Sequence, residues 1–173
     1  MTAALDRLRE QLPAYAKDIQ LNLSSVLETT SLDERSRWGV ALASAYASGS
    51  VALREAIESD SGAFVDEAVV DDAHAAAALM AMNNVFYRFR HFIGKASYQT
   101  KPARLRMNRM AQPRSDKLLF ELMSLAVSAI NGCETCVRSH EQVVVTGGLS
   151  EDQVHDAVRI AATIRAAAVA LGG

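Results

Sequence analysis

The chain has 173 residues, 50% of them hydrophobic and 22% charged, enough to bury the core of one domain. A formal net charge of −2 with 18 basic and 20 acidic residues argues against a nucleic-acid surface. Asp6, Arg7, Arg9 and Glu10 interrupt the first segment, so it does not read as a leader, and no apolar run approaches the roughly 20 residues of a membrane helix. The expected setting is cytoplasmic, where two cysteines point to transient redox work or to metal rather than to a stable structural disulfide.

In chain order the sequence predicts helices throughout. Thr2 to Gln11 is a short amphipathic helix ended by Pro13, and Ala14 to Leu27 is a second, with Ile19, Leu23, Val26 and Leu27 on its apolar face. Ser31-Leu-Asp-Glu34 has the form of a capping box, and Trp38, Leu42, Ala45 and Tyr46 recur at helical spacing up to Gly49. Ser50 to Ser59 predicts a shorter helix, Asp60-Ser-Gly62 a turn, and Asp66 to His91 a long Ala-rich helix. Gly94, Pro102 and Pro113 mark an irregular connection with a short helix around Leu105 to Met110. Its basic cluster, Arg104, Arg106, Arg109 and Arg114, reads as a solvated loop or subunit contact. An apolar helix from Leu118 to Ile130 stops at Asn131-Gly132, a second runs from the cysteines toward Val145, and Ser150-Glu-Asp-Gln153 caps a last helix to Leu171. No strand signal is convincing, and the class is all-α, a single domain over 1–173.

A shift of 84 residues lays Ser44-Ala45 on Ser128-Ala129, Arg54 on Arg138, Glu67 on Glu151, Val70 on Val154, Asp72-Ala73 on Asp156-Ala157 and Ala77-Ala78 on Ala161-Ala162. We read an internal duplication of about 31–90 and 115–173. At that shift Glu121, Cys133, Cys136 and His140 fall on Arg37, Gly49, Ala52 and Ala56, which assigns the chemistry to the second copy.

Those four residues are the candidate site. Cys133 and Cys136 are separated by two residues, a spacing that allows a disulfide, and are therefore a candidate redox pair. Placed at a helix N-terminus, they would have thiol pKa values drawn down from about 8.5 by unpaired N–H groups and the helix dipole. His140, four residues beyond Cys136, falls on the same helical face within reach of its sulfur. Glu121 lies in an apolar segment where a carboxylate requires a partner, and a hairpin turning at Asn131-Gly132 would return it to the cysteines.

The pattern Glu121, eleven residues, Cys133, two residues, Cys136, three residues, His140 resembles the active-site motif of the alkylhydroperoxidase D family, within the carboxymuconolactone decarboxylase-like superfamily. The likeness extends to Leu-Pro-Ala-Tyr-Ala-Lys-Asp-Ile at 12–19, Leu-Asn-Leu-Ser-Ser at 21–25, Met-Asn-Asn-Val-Phe-Tyr-Arg at 82–88 and Ala-Val-Ser-Ala-Ile-Asn-Gly-Cys at 126–133. It implies a helical, duplicated subunit in a homotrimer with an antioxidant role and no bound cofactor or metal. Cys136 would be the attacking thiolate, passing through a sulfenic acid with organic hydroperoxide or a mixed disulfide with a peroxiredoxin of the alkyl hydroperoxide reductase C type. Cys133 would be the resolving thiol and proton donor to the leaving alkoxide, with Glu121 and His140 as proton relay. The Cys133–Cys136 disulfide would be re-reduced by dihydrolipoamide on a lipoylated 2-oxoacid dehydrogenase acyltransferase, with dihydrolipoamide dehydrogenase and NADH behind it. Relatives can carry a histidine just before the second cysteine; this chain has Thr135.

Duller readings stand beside these. Cys133, Cys136 and His140 with Glu121 or His155 could ligate zinc in an assembly module, although structural zinc usually draws on two separated ligand pairs. Val137 after Cys136 excludes haem attachment. A non-redox lactone decarboxylase-like enzyme would not need paired cysteines. His74, His91 and His155 read as surface or core residues, and Met80, Met82, Phe86 and Tyr87 as core or subunit contact.

Overall fold

In the computed structural model, which describes residues 3–172, ten α-helices follow one another and no strand occurs among those residues. They are α1 (Ala3–Glu10), α2 (Lys17–Ser25), α3 (Glu34–Ser48), α4 (Val51–Ser61), α5 (Glu67–Ile93), α6 (Ala96–Gln99), α7 (Asn108–Ala111), α8 (Lys117–Ile130), α9 (Glu134–Thr146) and α10 (Glu151–Ala170). The all-α class is therefore that expected. Thr2, the predicted start of the first helix, lies outside the described residues.

Helix α8 is the hub. Leu119 through Ser128 are all buried, and α3, α5, α9 and α10 pack around it. A helix apolar on every side is stable only when surrounded. Close packing on one flank needs Gly39 of α3: a Cβ there would stand 3.2 Å from Leu119 and 3.3 Å from Val69.

Three local expectations change. Ala14 to Leu27 is not one helix but a 3-10 turn over Ala14–Ala16 followed by α2. Asp60, expected in a turn, belongs to α4, and its carboxylate caps α1, accepting from Ala4 N at 3.1 Å and Leu5 N at 2.7 Å. Ser31 does not cap α3. Asp33 does, accepting from Ser36 N at 2.7 Å, because it directly precedes the first helical residue. Ser31 instead donates its N–H and hydroxyl to Asp156 Oδ2 at 2.6 and 2.8 Å, tying the chain after α2 to α10. The box at Ser150 and Gln153 forms as read.

The connection after α5 holds α6, which has no counterpart in the reading, and α7, displaced from Leu105–Met110 to Asn108–Ala111. Its basic cluster is not wholly solvated. Arg109 pairs with Asp71 and donates Nε to Asp72 at 2.8 Å, and Arg114 lies 3.7 Å from Asp71. Buried Asp72 also accepts from Arg114 N, Ser115 N and Ser115 Oγ, so the connection is fastened onto α5. Shifted by 84, the starts of α3, α4 and α5 fall within one residue of those of α8, α9 and α10, the correspondence that the proposed duplication requires.

The Ser31–Asp156 tie gives a pH test. Burial raises the Asp156 carboxyl, but hydrogen bonds from Ser31 and Arg159 outweigh it and hold the pKa down to about 2. A depressed carboxyl stabilises the fold above its ordinary pKa of about 4, and that stabilisation is lost as pH falls through about 2. Asp156→Asn should lower unfolding free energy at neutral pH by about 1–3 kcal/mol. The gap to the wild type should shrink between about pH 4 and 2 in denaturant titrations; a gap independent of pH would contradict this.

Candidate active site

Asp116 caps α8, accepting from Leu119 N at 2.8 Å, and the helix runs to Asn131. Gly132 follows with φ +67°, the left-handed conformation that reverses the chain without the penalty of a Cβ. Cys133 is then the N-cap of α9, and its N–H donates to Ser128 O at 3.1 Å. The result is the helix hairpin anticipated from Asn131-Gly132.

The hairpin brings all four candidates together. The Cys133 and Cys136 sulfurs are 2.6 Å apart, both buried. Two turns up α8, Glu121 Oε2 meets His140 Nδ1 at 2.5 Å, and both residues are buried. Glu121 Oε1 accepts from Lys117 Nζ at 2.6 Å. Burial raises the Glu121 carboxyl, but hydrogen bonds from His140 and Lys117 prevail and hold it below the usual value, so it stands ionised at neutral pH.

One expected contact is replaced. His140 lies one turn beyond Cys136 as predicted, yet Nε2 faces Met80 Sδ at 3.3 Å, and no hydrogen bond joins His140 to Cys136 among the described residues. Both do line a cavity of about 310 Å³ with Asn83, Tyr87, Met107, Met110, Thr135 and Ser139. Cys133 is fully buried and absent from that lining, whereas Cys136 is part of it. Cys136 is thus the cysteine beside which a molecule in the cavity would lie.

Helix α5 supplies residues that the motif did not announce. Asn84 donates Nδ2 to Ser128 Oγ at 3.0 Å and accepts from Asn131 Nδ2 at 2.9 Å, while Arg88 donates to Asn131 O. Together they clamp the turn that carries Cys133. Met80, Asn84 and Arg88 recur every four residues, one face of a helix, and that periodicity within a largely apolar segment is the signal that could have found them. Met80 was read as core or subunit contact; it is core, and it also holds the imidazole. Of the other histidines, His74 stacks on Tyr46, His91 lies 3.4 Å from Glu134, and His155 is exposed on α10. Among the described residues no group of three or more His, Cys, Asp or Glu is arranged to hold a metal ion, and no helix is long and apolar enough to cross a membrane.

The helix N-terminus does not bring the Cys136 thiol toward neutrality. Burial and the adjoining Cys133 sulfur push it up, to about 12, against the opposing pull of Asn84 and Arg88. Desolvation disfavours the charged sulfur and is the largest influence on it. The reduced chain should therefore be alkylated slowly near pH 7, with a rate at Cys136 that climbs through pH 10; a plateau below pH 8 in an iodoacetamide pH series would show a low-pKa thiolate instead.

A family model for carboxymuconolactone decarboxylases matches residues 96–172. The alkyl hydroperoxide reductase AhpD of Anaeromyxobacter dehalogenans (strain 2CP-C) is 66% identical over 169 residues, covering 98% of this chain and 91% of that protein. Its namesake from Maricaulis maris (strain MCS10) is 49% identical over 168 residues, covering 97% of each. Identity of this order over nearly the full length, on an all-helical fold with the Glu-Cys-Cys-His constellation brought onto one helix hairpin, means that the chain belongs to the AhpD family of the carboxymuconolactone decarboxylase superfamily.

Proposed function

We propose that the chain is an antioxidant thiol–disulfide oxidoreductase that reduces organic hydroperoxides, directly or through a peroxiredoxin of the AhpC type. The observation that carries this reading is the placement of Cys136 at the cavity wall, 2.6 Å from a second sulfur and one helical turn from a buried Glu121–His140 pair. The names of the curated relatives support the peroxide-reducing activity.

In the direct reaction the Cys136 proton passes to the His140–Glu121 pair and the thiolate attacks the terminal peroxide oxygen. The O–O bond breaks, Cys136 becomes a sulfenic acid, and the departing alkoxide takes the Cys133 proton to leave as alcohol. The Cys133 thiolate then attacks the Cys136 sulfur, forming the disulfide and expelling hydroxide, which recovers the proton held by His140 and leaves as water. One hydroperoxide is reduced and two thiols are oxidised. With a peroxiredoxin disulfide as acceptor, Cys136 forms a mixed disulfide that Cys133 resolves. The disulfide is returned to dithiol by dihydrolipoamide on a lipoylated 2-oxoacid dehydrogenase component, recharged by dihydrolipoamide dehydrogenase and NADH.

A thiol held high by burial suits this cycle, because it stays protonated until a base acts on it. Tyr87, Met107 and Met110 give the cavity apolar walls for an alkyl tail. Val85, Phe89, Phe92, Ile93 and Tyr98 on α5 and α6 are exposed apolar side chains, which supports the proposed homotrimer. The cytoplasm is the proposed location, where dihydrolipoamide is at hand.

The test is reconstitution with a lipoylated acyltransferase, its flavin reductase, NADH and a C-type peroxiredoxin, following NADH loss after organic hydroperoxide is added; no loss with or without the peroxiredoxin would overturn the reading. Cys136→Ser should abolish turnover with the fold intact, and Cys133→Ser should trap a mixed disulfide with the partner. Trapping by Cys136→Ser instead would reverse the two roles. His140→Phe should lower kcat/KM by about 10²–10⁴-fold, the usual contribution of acid–base help; full activity would remove it from the relay.

A further inference from the structure

Lys117 stands where helix energetics do not want it. It is the first residue of α8, at the positive end of the helix dipole, and its i,i+4 partner Glu121 lies on the C-terminal side, the weaker of the two orientations for such a pair. Its ammonium nevertheless makes two contacts that join separate parts of the site. Nζ donates to Glu121 Oε1 at 2.6 Å, and the same nitrogen donates to the carbonyl oxygen of Met110. Met110 lines the cavity beside Cys136, on the connection that Asp72 and Arg109 fasten to α5.

We propose that Lys117 is a positioning residue that couples the substrate-pocket wall to the proton relay, pinning Met110 with one hydrogen bond and holding the Glu121 carboxylate against His140 with another. The proposal rests on the peroxide-reducing reading above and extends it to a residue outside the Glu-Cys-Cys-His motif. Glu121 has two hydrogen-bonding side-chain partners among the described residues, His140 from α9 and Lys117 from its own helix. Cys136 shares the cavity, and α5 presents the neutral Met80 to the imidazole. Without Lys117, burial is opposed by His140 alone, so the Glu121 carboxyl moves up. The Met110 segment loses its tie to α8 at the same time.

The experiment compares Lys117→Met and Lys117→Arg with the wild type by two readouts. One is titration of the Glu121 carboxyl carbon by ¹³C NMR in the reduced protein, which needs no turnover. The other is the pH profile of kcat and KM with cumene hydroperoxide. Lys117→Met should shift the Glu121 titration and the acid limb of kcat/KM to higher pH, raise KM, and lower kcat/KM near neutrality by about tenfold, less than the 10²–10⁴-fold that full acid–base help supplies. Lys117→Arg should restore most of the acid limb. A titration and pH profile equal to wild type in Lys117→Met overturns the proposal, as does a fall in kcat that is uniform across pH. A shifted titration with unchanged KM overturns the link to the pocket wall. If the wild type fails to turn over peroxide while the titration still moves in Lys117→Met and returns in Lys117→Arg, the Lys117–Glu121 linkage stands and the functional reading falls.

Discussion

The Glu121 carboxylate lies inside the most thoroughly buried helix of the protein, and an ionised carboxylate cannot remain there without charged or hydrogen-bonding partners. Its requirement for partners organises the second half of the chain. His140 can reach it only if α9 folds back along α8, which the left-handed Gly132 permits. Once the two helices run side by side, Cys133 ends the turn between them and Cys136 follows in the first turn of α9. The sulfur pair and the Glu121–His140 pair are consequences of one hairpin, clamped at its closed end by Asn84 and Arg88.

Burial acts in the same sense on the two acidic groups, with opposite outcomes. It is the largest influence on both Glu121 and Cys136, and for both it favours the neutral form. Glu121 overcomes it with two cationic or hydrogen-bonding neighbours and stays charged. Cys136 faces another sulfur and stays protonated. These are two groups whose environments have pushed their proton affinities apart, the usual way in which acid and base roles are divided and the division that the proposed reaction requires. Met80 adds a detail to this division: its thioether faces the imidazole nitrogen that points away from Glu121, so the ring is oriented by both neighbours before any substrate enters.

The first half of the molecule acts as a frame. Helix α3 packs closely on α8 through Gly39, and α5 runs the length of the site, contributing Met80, Asn84 and Arg88 to the hairpin and Asn83 and Tyr87 to the cavity. The connection between α5 and α8, irregular in sequence, is held by the buried Asp72, so Met107 and Met110 form a wall rather than a free loop. The geometry of the candidate site in the second half therefore depends on packing and anchoring supplied by the first.

Helix order, the stop at Asn131-Gly132, the capping box at Ser150 and the spacing of Glu121, Cys133, Cys136 and His140 were all present in the sequence, because each depends on residues within a few turns of one another. The meeting of Glu121 with His140 was also readable, since a carboxylate in an apolar helix before a glycine turn demands a partner from the next helix. What only the tertiary structure decided were the choices between partners far apart in the chain. Ser31 serves Asp156, 125 residues away, rather than its own helix, Asp60 caps α1 from 55 residues beyond, and Asn84 and Arg88 clamp a turn more than 40 residues downstream. The height of the Cys136 pKa belongs with these: a helix N-terminus is a local feature that sequence reveals, but desolvation depends on everything packed around the sulfur, and here it prevails.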